Sequence, residues 1–113
     1  MAKYEGKLCG DFGEVLRAID EGILRGSLSA SREDASDFQR GEVRCSVRVY
    51  ERYSMLGKNR VSLSVTLFGE GKDLFLSAIA SGGSQAMFFK INTFGEEAFL
   101  KHIVELVAAY EQG

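Results

Sequence analysis

The stretch Ser81-Gly82-Gly83-Ser84-Gln85 is the densest cluster of small polar residues in the chain, and a glycine turn of this kind can aim backbone amides at an anion. It lacks the Gly-Lys-Ser/Thr ending of a nucleotide-binding loop and joins two strand-like runs instead of opening a helix, so turn formation accounts for it. His102 is the one histidine; three and four residues away stand Ala98, Phe99, Glu105 and Leu106, which supply no Ser-His-Asp or Cys-His pairing. Glu33, Asp34 and Asp37 could gather a hard cation, but the alternating carboxylates and central glycine of a calcium loop are missing. Glu96 and Glu97 are adjacent, point to different sides of a helix and cannot work as one acid/base couple. Cys9 and Cys45 have no paired spacing and a distant histidine, which offers neither a zinc site nor a dithiol motif. We therefore assign no catalytic residue, metal or cofactor, and the balance leans away from an enzyme.

Binding chemistry has better material. Arg44, Arg48 and Arg52 recur every fourth residue in a run of period two, where they would form one row of cations. Phe68, Phe75, Ile79 and Phe88 form a second group, with Tyr50 near them. Met87, Phe89, Phe99 and Ile103 form a third, on segments that should face each other across a core.

Two helices and a sheet must position these groups. Asp11-Phe12-Gly13-Glu14 has capping-box spacing, and Phe12, Leu16, Ile19 and Ile23 follow at helical steps until Gly22 and Gly26 help to stop the helix. The same device at Thr93-Phe94-Gly95-Glu96 precedes Phe99, Ile103, Leu106 and Tyr110. Between the helices the period is two. Val43, Cys45, Val47, Val49 and Tyr53 alternate with polar residues, as do Val61, Leu63, Val65 and Leu67, then Leu74, Leu76, Ala78 and Ala80. Pairing Tyr53 with Val61 and Val49 with Val65 keeps all these apolar residues on one side. A run from Gln85 to Ile91 should return as another strand, with Met87, Phe89 and Ile91 inward. Tyr4, Gly6 and Leu8 suggest a short opening strand. A strand near Ser27 to Arg32, with Leu28 and Ala30 inward, should pair at an edge, with Glu33 to Gly41 as its loop or a long hairpin. The expected fold is α+β: an antiparallel sheet of five to six strands in the order β-α-β-β-β-β-β-α, with two helices on one face, similar in element order to helix-grip folds.

Composition bounds what this domain can do. The chain has 113 residues, 45% of them hydrophobic, no proline and no linker-like stretch, so one domain over residues 1–113 is expected. Its net charge of −2 provides no overall attraction to nucleic acid or anionic membrane. The charged start, Lys3, Glu5 and Lys7, is not a signal peptide, and no apolar run is long enough to cross a membrane. With two cysteines read as reduced thiols, a cytoplasmic protein is expected.

Under the pairing above, the outer face of the sheet carries Arg44, Arg48 and Arg52, rows of Ser and Thr, and the aromatic group Tyr50, Phe68, Phe75, Ile79 and Phe88. Clustered aromatics on an exposed face predict a homo-oligomer, most simply a dimer, that buries them. A small apolar or amphipathic ligand held between the C-terminal helix and the sheet, near Met87, Phe89, Phe99 and Ile103, is the alternative. An anion or nucleic-acid platform on the three arginines is the third, disfavoured by the acidic balance and the lack of an RNA-binding aromatic motif.

The stretches Val47-Arg48-Val49-Tyr50-Glu51-Arg52-Tyr53 and Ser81-Gly82-Gly83-Ser84-Gln85-Ala86-Met87-Phe88-Phe89-Lys90-Ile91-Asn92-Thr93-Phe94-Gly95-Glu96 give the chain a resemblance, over nearly its full length, to a small bacterial domain-of-unknown-function family, family 6054. The resemblance implies a bacterial cytoplasmic protein and carries no activity, cofactor or catalytic residue with it.

Overall fold

The computed structural model describes residues 1–54, 59–82 and 89–112, with every side chain among them outside 54 and 89–95. The elements follow in the order β1 (Ala2–Cys9), α1 (Phe12–Gly26), β2 (Ser31–Arg40), β3 (Val43–Ser54), β4 (Asn59–Glu70), β5 (Asp73–Gly82) and α2 (Phe89–Val107), closed by a 3-10 turn at Ala108–Tyr110. The strands form one antiparallel sheet in the order β1-β5-β4-β3-β2. The α+β architecture with two helices on an antiparallel sheet is as the periodicities predict.

Local chemistry explains the element ends. Asp11 caps α1 by accepting from the Glu14 amide at 2.9 Å. Gly41 and Gly71 take φ values of 59° and 60° in the tight turns joining β2 to β3 and β4 to β5, a conformation in which a Cβ is strained. Of the two glycines expected to help stop the helix, Gly26 is its last residue and Gly22 lies one turn inside it, and both also face α2. A Cβ on Gly22 would fall 2.3 Å from Leu106 Cδ2, and one on Gly26 would fall 2.1 Å from His102 Cε1. These glycines let the two helices approach each other.

The core lies between the helices and β1, β5 and β4. Phe12, Val15, Ile19 and Ile23 from α1 and Phe99, Ile103 and Val107 from α2 meet Leu8, Val61, Leu63, Val65, Leu67, Leu74, Leu76, Ala78 and Ala80, all buried. The β4–β5 ladder pairs Leu67 with Leu76 and Leu63 with Ala80. The alternation on either side of the Gly69–Lys72 turn would set Leu74 opposite Leu67; the observed ladder is two residues from that, and an even shift leaves every side chain on its expected face.

On β3 the shift is odd, and the faces exchange. Arg52, not Tyr53, stands opposite Val61, and Arg48, not Val49, opposite Val65. Arg44, Ser46, Arg48, Tyr50 and Arg52 therefore point to the helix side, and Val43, Cys45, Val47 and Val49 to the other. The physical reason is that β3 lies at the margin of the helix layer. Its helix-side residues meet the flanks of Phe12, Asp20 and Phe99, where long side chains with an apolar stem and a polar end fit better than valine.

Two further expectations change. The start of α2 at Phe89 makes Phe89–Ile91 helical, where a strand was expected, and places Thr93–Glu96 inside the helix instead of at its cap. The remainder of that expected strand, with Met87 and Phe88, lies outside the described residues. Of the two alternatives for Glu33 to Gly41 the structure takes the long hairpin, but the strand starts later than expected, with β2 spanning Ser31–Arg40 and pairing with β3. Leu28, expected inward, is fully exposed before it.

Candidate functional site

The ladder registers assemble the outer face of the sheet, the side away from both helices, row by row. One row runs Phe38, Cys45, Phe68, Phe75, Lys7 across all five strands. The next runs Ser36, Val47, Thr66, Ser77, Glu5, and the third Asp34, Val49, Ser64, Ile79, Lys3. Phe38 is 63% exposed, Phe68 47%, Ile79 39% and Phe75 37%, and half-buried Val43, Cys45, Val47 and Val49 fill the space between them. Large apolar side chains in one contiguous patch of this size are more than the scattered exposure of an ordinary surface.

The patch has relief and charge. An open hollow of about 380 Å³ is lined by Lys7, Phe68, Asp73, Phe75 and Gln112 among others, at the β1–β5–β4 end. A smaller one of about 130 Å³ lies between Asp34, Ser36, Val47 and Val49 at the β2 side. Lys3 and Lys7 border the β1 edge of the face, and Asp34 the β2 edge. The β1 edge alternates Lys7, Glu5 and Lys3, with Lys3 Nζ 3.9 Å from Glu5 Oε2, and the β2 edge carries Asp34 and, beyond Phe38, Arg40.

Of the residues expected at this interface, Phe68, Phe75 and Ile79 are brought together on it. Tyr50 is not, because the odd register turns it inward. It is completely buried, and its hydroxyl donates to Asp20 Oδ1 at 2.7 Å. Burial, first, and then the Asp20 bond hold the phenol proton well above the ordinary tyrosine range. The same carboxylate accepts from Arg32 Nη1 at 3.1 Å on each oxygen, so Asp20 ties α1 to β3 and to β2. Phe38 and the valine stripe are the members that sequence reasoning missed. Phe38 fell in a stretch read as a loop or hairpin arm, and the valines looked inward because their alternation is indistinguishable from that of a core strand.

The three arginines form a row, but on the helix side. The Arg44 guanidinium lies 4.3 Å from the centroid of the Phe12 ring, and that of Arg52 4.3 Å from the Phe99 ring. Arg48 pairs with Asp37 at 3.0 Å. Asp37 is held below the usual carboxylate range chiefly by the Ser46 hydroxyl, which donates to it at 2.5 Å, and also by Arg48 and Arg44. Burial alone lowers the Arg52 value. These guanidiniums are thus occupied in packing and pairing, and none lies on the face with Phe68 and Phe75.

The residues expected around a ligand pocket divide. Phe99 and Ile103 are completely buried in the core cluster, Phe89 opens α2, and Met87 is outside the described residues. Glu96 is buried on α2, where its Oε2 accepts from the Gly82 amide at 2.8 Å and fixes the end of β5 to the helix. The Met1 amino group lies 2.5 Å from the other oxygen. Among the described residues no three His, Cys, Asp or Glu side chains gather where they could hold a metal ion, and no helix is long and apolar enough to cross a membrane.

Comparison with curated proteins finds no match, and comparison with solved structures finds none either. The model of one family does match, over residues 1–111, so it takes in both helices, all five strands and every residue of the outer face. The chain belongs to that family, the family of unknown function DUF6054.

Proposed function

We propose that this chain is a non-catalytic bacterial module of the cytoplasm that works as an assembly of identical copies, joined through the outer face of the sheet. The observation that carries this reading is the apolar row Phe38, Cys45, Phe68, Phe75 with Val43, Val47, Val49 and Ile79, on a face that neither helix covers. Five strands spaced ~4.8 Å apart and some eight residues rising ~3.3 Å each make a patch of about 20 × 27 Å. Two such patches in contact would bury about 1,000 Å² in total, at the lower bound for a specific interface. A second copy offers an equal area of the same composition, as in the face-to-face packing of two-sheet sandwiches. Free thiols at Cys9 and Cys45 are in keeping with a reducing compartment.

Native mass spectrometry and sedimentation velocity test the reading directly. The expected species is a clean multiple of 12.4 kDa, and Phe75→Asp is expected to convert it to monomer while leaving the circular dichroism spectrum unchanged. A wild-type monomer at high micromolar concentration, or a Phe75→Asp variant that assembles as before, would overturn it.

A further inference from the structure

Two simple two-fold arrangements can stack one outer face on another. Consider a two-fold axis that lies between two facing sheets and runs along β4. Such an axis keeps each row at its own height and exchanges the β1 and β2 margins. Row for row, Asp34 then faces Lys3 of the partner subunit, Phe38 faces Lys7 of the partner subunit, and Phe68 lies over its own counterpart. An axis perpendicular to the strands instead reverses the rows and sets Lys3 against Lys7 of the partner subunit, like charge against like. The first axis sets Asp34 against Lys3 of the partner subunit and Ser36 against Glu5 of the partner subunit at both ends, and leaves Glu70 over its own counterpart on the axis.

Relief points the same way. Phe38, at 63% the most exposed aromatic of the face, stands at the β2 margin in the row of Phe75 and Lys7. The first axis carries it over the hollow of about 380 Å³ that Lys7, Phe68 and Phe75 line in the facing copy. A space of ~150 Å³ already admits a benzene ring, so a phenyl group fits there with its face near an ammonium group.

We propose that two copies pack outer face to outer face about a two-fold axis along β4, each seating Phe38 in the other's hollow at Lys7, Phe68 and Phe75, with Asp34 against Lys3 of the partner subunit. This arrangement rests on the association proposed above and adds its operator and contacts. The strands of the two sheets would then run within about 30° of each other, with the sheets ~10 Å apart.

The test is a charge swap read by sedimentation equilibrium, with Phe75→Asp as the reference for the face itself. Each two-fold contact occurs twice, so Lys3→Glu or Asp34→Lys alone is expected to weaken association about tenfold, and the two together to restore most of the loss. Phe38→Ala is expected to weaken it by a similar factor. If Phe75→Asp dissociates the assembly but the double variant remains as weak as the singles, the axis and contacts are wrong while the face stands. If Phe75→Asp has no effect, or if the wild-type chain does not associate, both proposals fall.

Discussion

Arg52 stands directly opposite Val61 on the β3–β4 ladder and lays its guanidinium 4.3 Å from the centroid of the Phe99 ring. That contact closes the margin of the core where the helix layer ends, with an arginine whose stem is apolar and whose head covers an aromatic ring. Arg52→Ala is expected to destabilise the fold by about 1–2 kcal/mol in urea denaturation, through lost packing as well as lost charge. Arg52→Met, which keeps the stem, is expected to recover about half. An alanine variant as stable as the wild type would remove this contact from the account of the core margin.

Tyr50 reaches Asp20 from the middle of the same strand, from a buried ring to a half-buried carboxylate. Tyr50→Phe keeps the ring and removes the hydroxyl, which leaves Asp20 paired with Arg32 alone. The expected loss is about 1–2 kcal/mol, because the bond is made to a charged acceptor. Equilibrium denaturation measures it, and a change below about 0.3 kcal/mol would show that water replaces the bond at no cost.

The approach of α1 to α2 over Gly22 is tested by a double-mutant cycle. Alanine is the better helix former by about 1 kcal/mol, yet its Cβ would overlap the Leu106 side chain, and overpacking costs about 1–3 kcal/mol. Gly22→Ala is therefore expected to be neutral to destabilising. Combined with Leu106→Ala it should become favourable, with a coupling of at least about 1 kcal/mol between the two sites. Strict additivity would mean that the helices do not meet there.

His102 sets a pH dependence. Burial, first, and the nearby Arg52 charge, second, hold its imidazolium below the ordinary histidine value, against a smaller opposing pull from Glu105. The unfolded chain therefore binds this proton more readily than the folded one. Stability from this residue is complete above the unfolded value of ~6.5 and is lost as pH falls from there through the lower folded value. The urea midpoint should drop between pH 7.5 and 5.5, and His102→Gln should flatten that drop. An equal slope in the two proteins would assign the pH dependence to other groups.

Much of this fold is written plainly in the residues. The Asp11 cap, the helical spacing of Phe12, Ile19 and Ile23, and the alternation through Val61 to Leu67 each point to the element that forms, because local hydrogen bonding and burial agree there. The face of β3 was not legible. Its valines alternate as a core strand would, and only the contacts of Arg44 with Phe12 and Arg52 with Phe99, both distant in sequence, decide which side turns inward. Phe89 and Ile91 misled for a related reason, since spacing by two over so short a run fits a strand as well as the first turn of a helix. At the candidate site, Phe68, Phe75 and Ile79 were readable because their strands bury a clean apolar stripe on the opposite face. Phe38 was not, because β2 is exposed on both faces and leaves no burial pattern to read.

The inward arginines of β3 have a consequence for how the chain finds its structure. Sliding β3 by one residue along β4 would offer the helices a stripe of valines, so the alternation itself permits a competing register. Asp20 discriminates between the two, since only the native slide delivers the Tyr50 hydroxyl to it. A facing copy would add a second discriminator, because it rewards valines on the outside. In this protein association and strand alignment would then select each other, and dilution would erode the energy gap that makes the native alignment unique.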